Sequence, residues 1–263
     1  MTDYAVEMLA EDALLLRFGE GIDRATNARV HAAASALRDA GLPGITDIAP
    51  AYATLLLRFD PLEWDGNAVR DATIKILRDP PRRRLALRTI GCADVRSGTP
   101  PRQSDLRRDD AQAGNASGRD STRLVEIPVC YGGECGPDID AVAEYTRLSR
   151  DEVAARHAAA EYTVAMLGFA PGFPYLLGLD AALQMPRRAT PRTRVPPGSV
   201  AIGGAQTGIY PRELPGGWHL IGRTPLVLFD PQREPPCLLA PGDRVRFRPI
   251  RAQELAPPAE RNT

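Results

Sequence analysis

The sequence has 263 residues, and its 33 Lys and Arg residues balance its 33 Asp and Glu residues. A chain of this length can bury one large core or two modest ones, and the zero net charge provides no bulk field to attract nucleic acid or an anionic membrane. Lys75 is the only lysine, so the sequence has neither the GxxxxGK[ST] motif of a P-loop nor a plausible lysine for a Schiff base.

Alternating strand and helix patterns occupy the first ninety residues and predict a small α/β layer. Asp23 is a candidate N-cap for the first helix, Gly41 and Pro43 end that helix, and Pro80 ends the second. The predicted elements in chain order are a strand at 13–18, a helix from about Arg24, extended segments at 45–49 and 52–59, and a helix at 68–78.

Residues 92–122 contain almost no large apolar side chains and many Gly, Ser, Asp and Arg residues. Such a segment cannot bury enough surface to offset the entropy of ordering it, so we predict a flexible insertion. Residues 124–129 (LVEIPV) then form a predicted strand that completes the small sheet. The first predicted domain therefore comprises 1–91 plus 123–134.

The second predicted domain, 135–250, begins with helices and continues as β-structure. Ser149 and Glu152 form a capping box that starts a helix carrying His157 and Glu161 on one face. Short apolar segments with the spacing of an antiparallel barrel or sandwich follow at 199–202, 218–221, 226–229 and 244–247. We therefore predict an α+β protein, with a small α/β N-terminal domain followed by a β-barrel C-terminal domain. The chain closes with a predicted frayed tail at 251–263.

Two glycine-rich segments are candidates for ligand binding. In IPVCYGGECGPDID, Gly132 and Gly133 allow a tight turn or a close approach to a ligand, and Asp138 is predicted to be an N-cap. In GFAPGFPYLLGLD, proline excludes regular structure and glycine allows positive φ, which predicts a rigid aromatic loop. With Phe173 and Tyr175, this loop forms either a plug in the core or, as we predict, the wall of a pocket.

The segment 195–226 has the densest set of neutral polar groups among its glycines. Such an array suits a small amide or carboxylate held by hydrogen bonds. The alternative is a set of barrel turns whose polar groups satisfy one another. We predict a site on the face built by 171–175 and 203–210. The candidate catalytic residues are His157, Gln206, Thr207 and Tyr210, and the candidate substrate-binding residues are Gly172, Phe173, Tyr175, Gly203, Gly204 and His219.

The pair of His157 and Glu161 has two interpretations. It can act as a general base with its orienting partner, or it can be a partly buried structural pair. Two potential ligands without a third predict no metal site. His31, in an alanine-rich helix, is predicted to lie on the surface.

The cysteines and the N-terminus predict a reduced, cytoplasmic protein. Cys92, Cys130, Cys135 and Cys237 form neither a CxxC pair nor the spacing of a zinc site. The N-terminus carries acidic residues where a signal peptide has a basic region, and no stretch approaches the length of a membrane span.

Three long motifs and a shorter closing one, in this order, resemble one family. They are IPVCYGGECGPDID, HAAAEYTVAMLGFAPGFPYLLGLD and TPRTRVPPGSVAIGGAQTGIYPRELPGGWHLIGRTPLVLFDP, followed by LLAPGDRVRF. Over residues 124–248 the sequence is similar to the family of the 5-oxoprolinase B subunit, the kinase inhibitor KipI and allophanate hydrolase subunit 1. It departs from the family pattern in the length of the 92–122 segment and at His219, where glutamine is frequent.

The resemblance implies a cyclophilin-like β-barrel and an ATP-dependent 5-oxoprolinase in which this chain is the B subunit. Subunits A and C are the implied partners, and Mg-bound ATP at the assembled complex drives the opening of 5-oxo-L-proline to L-glutamate. Coupling to ATP fits the chemistry, because lactam closure is an efficient intramolecular reaction and phosphorylation activates the lactam oxygen. The chain alone is expected to be inactive, since its polar groups form half of a site.

The same family implies two alternatives. The chain could be a KipI-like inhibitor of a sensor histidine kinase, which makes catalysis irrelevant. It could also be allophanate hydrolase subunit 1 or the carboxyltransferase component of a urea carboxylase. No biotin is expected to be attached covalently to this chain, because it lacks the lysine motif that carries biotin.

Overall fold

The computed structural model describes residues 4–80 and 123–255. It has a mixed α/β architecture built on a four-stranded antiparallel sheet and a closed seven-stranded β-barrel. Within the described residues, no helix is long and apolar enough to cross a membrane. The predicted insertion at 92–122 lies outside the described residues, as does the part of the predicted tail from 256 to 263.

The N-terminal elements are β1 (Ala5–Ala10), β2 (Ala13–Arg17), α1 (Arg24–Ala40), β3 (Ile45–Pro50), β4 (Thr54–Phe59) and α2 (Gly66–Arg78). The strands form a sheet in the order β1-β2-β4-β3. Leucines at alternate positions of β2 and β4, such as Leu14 and Leu57, are fully buried and pack in one core with Val30 of α1. Asp23 caps α1 by accepting a hydrogen bond from the Thr26 amide at 2.8 Å, which confirms the predicted helix start.

The remaining elements are β5 (Leu124–Tyr131), α3 (Ile139–Thr146), α4 (Arg150–Ala159), β6 (Glu161–Leu167), β7 (Pro174–Leu177), β8 (Arg192–Val195), β9 (Ser199–Gly203), β10 (Gln206–Ile209), β11 (Leu214–Gly216), β12 (His219–Arg223) and β13 (Arg244–Pro249), with 3₁₀ turns at Ala181–Leu183 and Ala252–Glu254. The barrel closes in the order β10-β7-β6-β13-β5-β12-β9, and β8 pairs with β11 in a separate ribbon. Apolar residues at alternate strand positions, including Val129, Leu176 and Ile202, fill the barrel. The predicted capping box of Ser149 and Glu152 starts α4.

Two predicted strands differ from the structure. Residues 124–129 do form a strand, but its prediction as part of the small sheet is wrong, because β5 pairs with β12 and β13 and so belongs to the barrel. Residues 226–229 form no regular strand. There the carbonyls of Val227 and Leu228 accept hydrogen bonds from the Arg233 guanidinium at 3.1 and 3.2 Å, and backbone pairing is limited to an isolated bridge between Phe229 and Cys237.

Helix α1 connects the four-stranded sheet to the barrel. The buried amide of Asn27 donates to the carbonyl of Tyr52 at 3.2 Å and to the carbonyl of Ala165 in β6 at 3.4 Å. His31 of the same helix is half-buried, and its predicted surface position is wrong because α1 packs against the barrel. These contacts bring the loop that carries Tyr52 to the β6 and β7 side of the barrel.

Candidate functional site

Aromatic side chains cluster on the outside of the barrel, where β7, β10, β9 and β12 lie side by side. Leu176 packs in the barrel core, so strand alternation turns its neighbour Tyr175 outward. The ring of Tyr175 lies edge-on to Trp218 at 5.9 Å between centroids and tilted against Phe173 at 4.9 Å. Tyr210 contacts Phe173 at 5.2 Å. We name the cluster of Phe173, Tyr175, Tyr210 and Trp218 the outer aromatic face.

Glycines make room for these rings. A β-carbon on Gly203 would lie 2.7 Å from the indole of Trp218, and one on Gly208 would lie 2.8 Å from the Pro174 carbonyl oxygen, closer than real side chains come. Gly204, with φ of 64°, turns β9 into β10. The predicted substrate-binding glycines Gly203 and Gly204 therefore shape the outer aromatic face and its hairpin.

The loop before β7 is tightly packed, in keeping with the predicted rigid aromatic loop. Gly172 has φ of 78°, and a β-carbon there would lie 2.7 Å from that of Phe229. Within the outer aromatic face, Phe173, Tyr210 and Trp218 are buried and Tyr175 is half-buried, whereas Phe169 of the same loop is exposed. The core-plug interpretation thus holds for Phe173, which packs in a buried cluster, and the pocket wall stays a prediction.

Gln206 lies at the start of β10, beside the outer aromatic face. It pairs with Gly203 across the hairpin and precedes Gly208, the partner of Tyr175, by two positions. Alternation places all of these residues on the same side of the sheet. The side chain of Gln206 is largely buried, and its amide can both donate and accept a hydrogen bond.

An arginine outside the set of predicted site residues adjoins the outer aromatic face. Arg187 is exposed, and its guanidinium carbon lies 5.7 Å from the centroid of the Trp218 ring, within cation–π range. Burial raises the pKa of Tyr175 and raises that of Tyr210 to about 12, and the positive charge of Arg187 opposes both shifts. Both hydroxyls remain protonated donors at neutral pH. The sequence signal available for Arg187 was the arginine-rich segment 187–194. Only the fold shows that the other arginines of this segment pair with carboxylates, whereas no described carboxylate pairs with Arg187.

Asp138 anchors the chain immediately after Arg187. Its carboxylate is buried and accepts hydrogen bonds from Arg188 at 2.9 Å, from Arg192 at 2.7 Å and from the Leu220 amide at 2.7 Å. Although Asp138 precedes α3, its side chain makes no cap hydrogen bond. Asp138 thus occupies the predicted N-cap position, but its carboxylate binds two arginines distant in sequence instead of capping the helix.

His219 anchors the chain immediately before Arg187. Its Nε2 lies 3.0 Å from the carbonyl oxygen of Pro186 and donates to it, because a carbonyl can only accept. The side chain is 8% exposed. This geometry suits a residue that positions Arg187, and direct contact of His219 with substrate stays a prediction.

Two predicted catalytic residues, His157 and Thr207, meet inside the barrel, where both are fully buried. His157 Nε2 lies 2.9 Å from the Thr207 hydroxyl, and Nδ1 lies 2.7 Å from the Tyr131 hydroxyl. Thr207 donates to the Ala201 carbonyl at 2.9 Å, so it accepts from Nε2 while Nδ1 accepts from Tyr131. Burial lowers the pKa of His157 to about 3. A neutral imidazole with both nitrogens satisfied and no solvent contact suits a structural role.

Glu161 does not share a helix face with His157, and that prediction is wrong. Helix α4 ends at Ala159, and the next residue is extended, with ψ of 147°. Glu161 consequently starts β6, where its carboxylate binds the Arg244 guanidinium at 2.6 and 2.7 Å. Within 4–80 and 123–255, no three His, Cys, Asp or Glu side chains are grouped so that they could hold a metal ion.

The other glycine-rich segment lines a separate cleft of about 670 Å³. Gly132 and Gly133 have φ of 70° and 53° and turn the chain, as predicted. Cys130 and Cys135 lie on the cleft wall as free thiols. Burial, with a smaller contribution from Cys135, raises the pKa of Cys130 to about 12, so this thiol is protonated at neutral pH.

Sequence comparison places the chain among known proteins. The profile of the carboxyltransferase domain, subdomain C and D, matches residues 4–91 and 101–239. The 5-oxoprolinase B subunit of Bacillus subtilis (strain 168) is 40% identical over 244 residues, which are 93% of this chain and 92% of that protein. The 5-oxoprolinase B subunit of Escherichia coli O157:H7 is 58% identical over 128 residues, which are 49% of this chain and 59% of that protein.

Solved structures share the fold. The crystal structure of TTHA0988 matches with a TM-score of 0.70 and 37% identity, covering 92% of this chain and 40% of that one, so this chain spans about two fifths of that protein. The urea amidolyase of K. lactis matches with a TM-score of 0.65 over 96% of this chain and 15% of that one. Its identity is 20%, and the likeness concerns the fold alone.

Proposed function

Because this chain belongs to the family of carboxyltransferase domains, subdomain C and D, we propose that it is the B subunit of a multi-subunit 5-oxoprolinase. The observation that carries the proposal is the 40% identity to the Bacillus subtilis 5-oxoprolinase B subunit over nearly the full length of both chains. The chain would act as one subunit of a hydrolase complex, with subunits A and C as partners, and would be inactive alone.

The proposed reaction opens the lactam of 5-oxo-L-proline to L-glutamate. Mg-bound ATP at the assembled complex would supply the phosphoryl group that activates the lactam oxygen; water would then open the ring, and ADP and phosphate would leave. The chain has no P-loop, and its only lysine, Lys75, lies in α2. We therefore assign nucleotide binding to the assembled complex.

In this proposal the outer aromatic face binds the lactam ring and excludes water from the reacting oxygen. The amide of Gln206 would donate a hydrogen bond to the phosphoryl group on the activated ring, where negative charge develops in the transition state. Tyr210 would act as a donor and not as a base, because burial raises its pKa to about 12. His157 and Thr207 would support β10 from inside the barrel and thereby hold Gln206 in place.

Reconstitution tests the proposal. The chain is purified alone and together with subunits A and C, and L-glutamate formed from 5-oxo-L-proline and ATP is measured. We expect glutamate only from the complete complex. Steady glutamate production by the isolated chain would contradict the composite site, and a complete complex that forms none would contradict the function. ATP consumption with urea instead of 5-oxo-L-proline would favour the carboxyltransferase alternative, and binding to a sensor histidine kinase would favour the inhibitor.

Replacing Gln206 with alanine is expected to lower kcat by about 30- to 1000-fold, since one lost hydrogen bond to a developing charge costs about 2 to 4 kcal/mol. Co-purification with subunits A and C should not change. Gln232→Ala is the matched control, because Gln232 is exposed and lies in the turn between β12 and β13. If both variants turn over at the wild-type rate, Gln206 makes no contact that matters in the transition state.

A further inference from the structure

Arg187 differs from its neighbouring arginines in having no acidic partner among the described residues. Arg188 and Arg192 bind Asp138, and Arg194 binds Glu213. Within the residues that the structure describes, no carboxylate forms an ion pair with Arg187. Its guanidinium lies instead over the Trp218 ring, a position that leaves the planar donor edge of the group free for an anion.

The backbone around Arg187 is fixed on both sides. The preceding carbonyl, that of Pro186, accepts from His219, and the following residue, Arg188, is bound by the buried carboxylate of Asp138. The Arg188 amide also donates to the Gly217 carbonyl at 2.8 Å, next to Trp218. Because its backbone is already held, ordering Arg187 on ligand binding costs mainly the entropy of its side chain.

In the part of the chain that the structure describes, the side chains beside Arg187 are largely aromatic. The groups that act electrostatically on the hydroxyls of Tyr52, Tyr175 and Tyr210 are other tyrosines and arginines. Tyr52 comes from the N-terminal sheet, and its ring lies edge-on to Tyr175 at 6.0 Å between centroids. A cation beside apolar ring faces and phenol groups is complementary to a small planar ligand that carries an anionic group.

We propose that Arg187 binds the carboxylate of a small lactam acid whose ring lies on the outer aromatic face, and that this contact selects carboxylate-bearing substrates over neutral amides. The identification of the ligand as a lactam rests on the proposed function. The inference that the ligand carries an anionic group rests on the geometry of Arg187, Trp218 and Tyr175. Arg187 would be a specificity-determining residue, and His219 and Asp138 would position it.

A binding experiment on the full chain tests this contact without turnover. The probes are 5-oxo-L-proline and 2-pyrrolidinone, which has the same ring without the carboxylate, and their dissociation constants are measured by calorimetry. The wild-type chain should bind 5-oxo-L-proline at least about 10-fold more tightly, as expected for one charge-assisted hydrogen-bonded pair. Arg187→Gln should abolish this preference, and Arg187→Lys should retain part of it, because lysine keeps the charge without the planar fork.

Arg248→Gln is the matched control, because Arg248 is an exposed arginine on β13 and its loss changes the net charge equally. Equal affinity of the wild-type chain for both probes, including no binding of either, would overturn the inference. A preference that survives in Arg187→Gln, or disappears in Arg248→Gln, would overturn it as well.

Turnover by the complex with subunits A and C separates this inference from the proposed function. Arg187→Gln should raise KM for 5-oxo-L-proline by about 10- to 100-fold with subunit association unchanged. If the wild-type complex forms glutamate and the Arg187→Gln complex has the same KM, the proposed function stands and the inference is wrong. If the complex forms no glutamate but the chain still prefers 5-oxo-L-proline in an Arg187-dependent way, the proposed function is wrong and the inference stands.

Discussion

Replacing His157 with alanine is expected to lower the free energy of unfolding by about 3 to 5 kcal/mol, since a large buried side chain is truncated and its polar neighbours lose a partner. The imidazole is fully buried and stacks on Phe247 at 4.5 Å between ring centroids. Its removal takes away the hydrogen-bond partner of the Tyr131 hydroxyl, whereas Thr207 keeps its bond to the Ala201 carbonyl.

Urea unfolding measures this loss, with Arg156→Ala as the control at the adjacent position of α4. Arg156 is exposed and pairs with Asp180 at 3.1 Å, and such surface pairs contribute at most about 1 kcal/mol. A His157→Ala variant no less stable than Arg156→Ala would show that the interior hydrogen-bond chain does not stabilise the barrel.

The same residue makes the protein sensitive to mild acid. Burial lowers the pKa of His157 from 6.5 to about 3, so the folded protein keeps the imidazole neutral while the unfolded chain takes up a proton below pH 6.5. The contribution of neutral His157 to the free energy of unfolding is fully present above pH 6.5. It falls by about 1.4 kcal/mol per pH unit as the pH decreases towards 3. Between pH 7.5 and 5.5, wild type should lose about 1.4 kcal/mol more than His157→Gln. Identical pH dependence of the two proteins would contradict the burial argument.

Replacing Asp138 with alanine is expected to lower the free energy of unfolding by about 3 to 5 kcal/mol through a different mechanism, the loss of one partner from a buried ion pair. Burial raises the pKa of Asp138, but the hydrogen bonds from Arg192 and the Leu220 amide, with the charge of Arg188, outweigh it and lower the pKa overall. The carboxylate is thus ionised at neutral pH. Its removal leaves two cations and one amide without their acceptor.

Asp140→Ala is the matched control, because Asp140 is exposed two residues further along and pairs with Arg150 on the surface. Its loss should cost less than about 1 kcal/mol. In the assembled complex, Asp138→Ala should also raise KM for 5-oxo-L-proline, because Arg187 would no longer be held in place. Equal stability of the two variants would mean that the buried carboxylate contributes no more than a surface one.

Local sequence was sufficient wherever a single turn or cap decides the conformation. Asp23 and Ser149 start their helices through side chains that bind the amide three residues ahead, an interaction that needs no distant partner. Gly204 turns a two-residue hairpin for a similar reason. The strand at 174–177 was not predicted because its proline indicated a loop, although Pro174 occupies the first position of β7, where proline is tolerated.

The sequence by itself carried the family motifs and determined the helices, a little over half of the described strands and the glycine-rich turns, which depend on short-range torsional and hydrogen-bonding preferences. Only the tertiary structure decided which strand face is interior. Alternation shows that Thr207 and Gln206 lie on opposite faces of β10. Only closure of the barrel buries Thr207 against His157, 50 residues away, and turns Gln206 towards the outer aromatic face. Closure likewise pairs Asp138 with arginines 50 or more positions ahead and leaves Arg187 over Trp218, contacts between distant segments that no local pattern encodes.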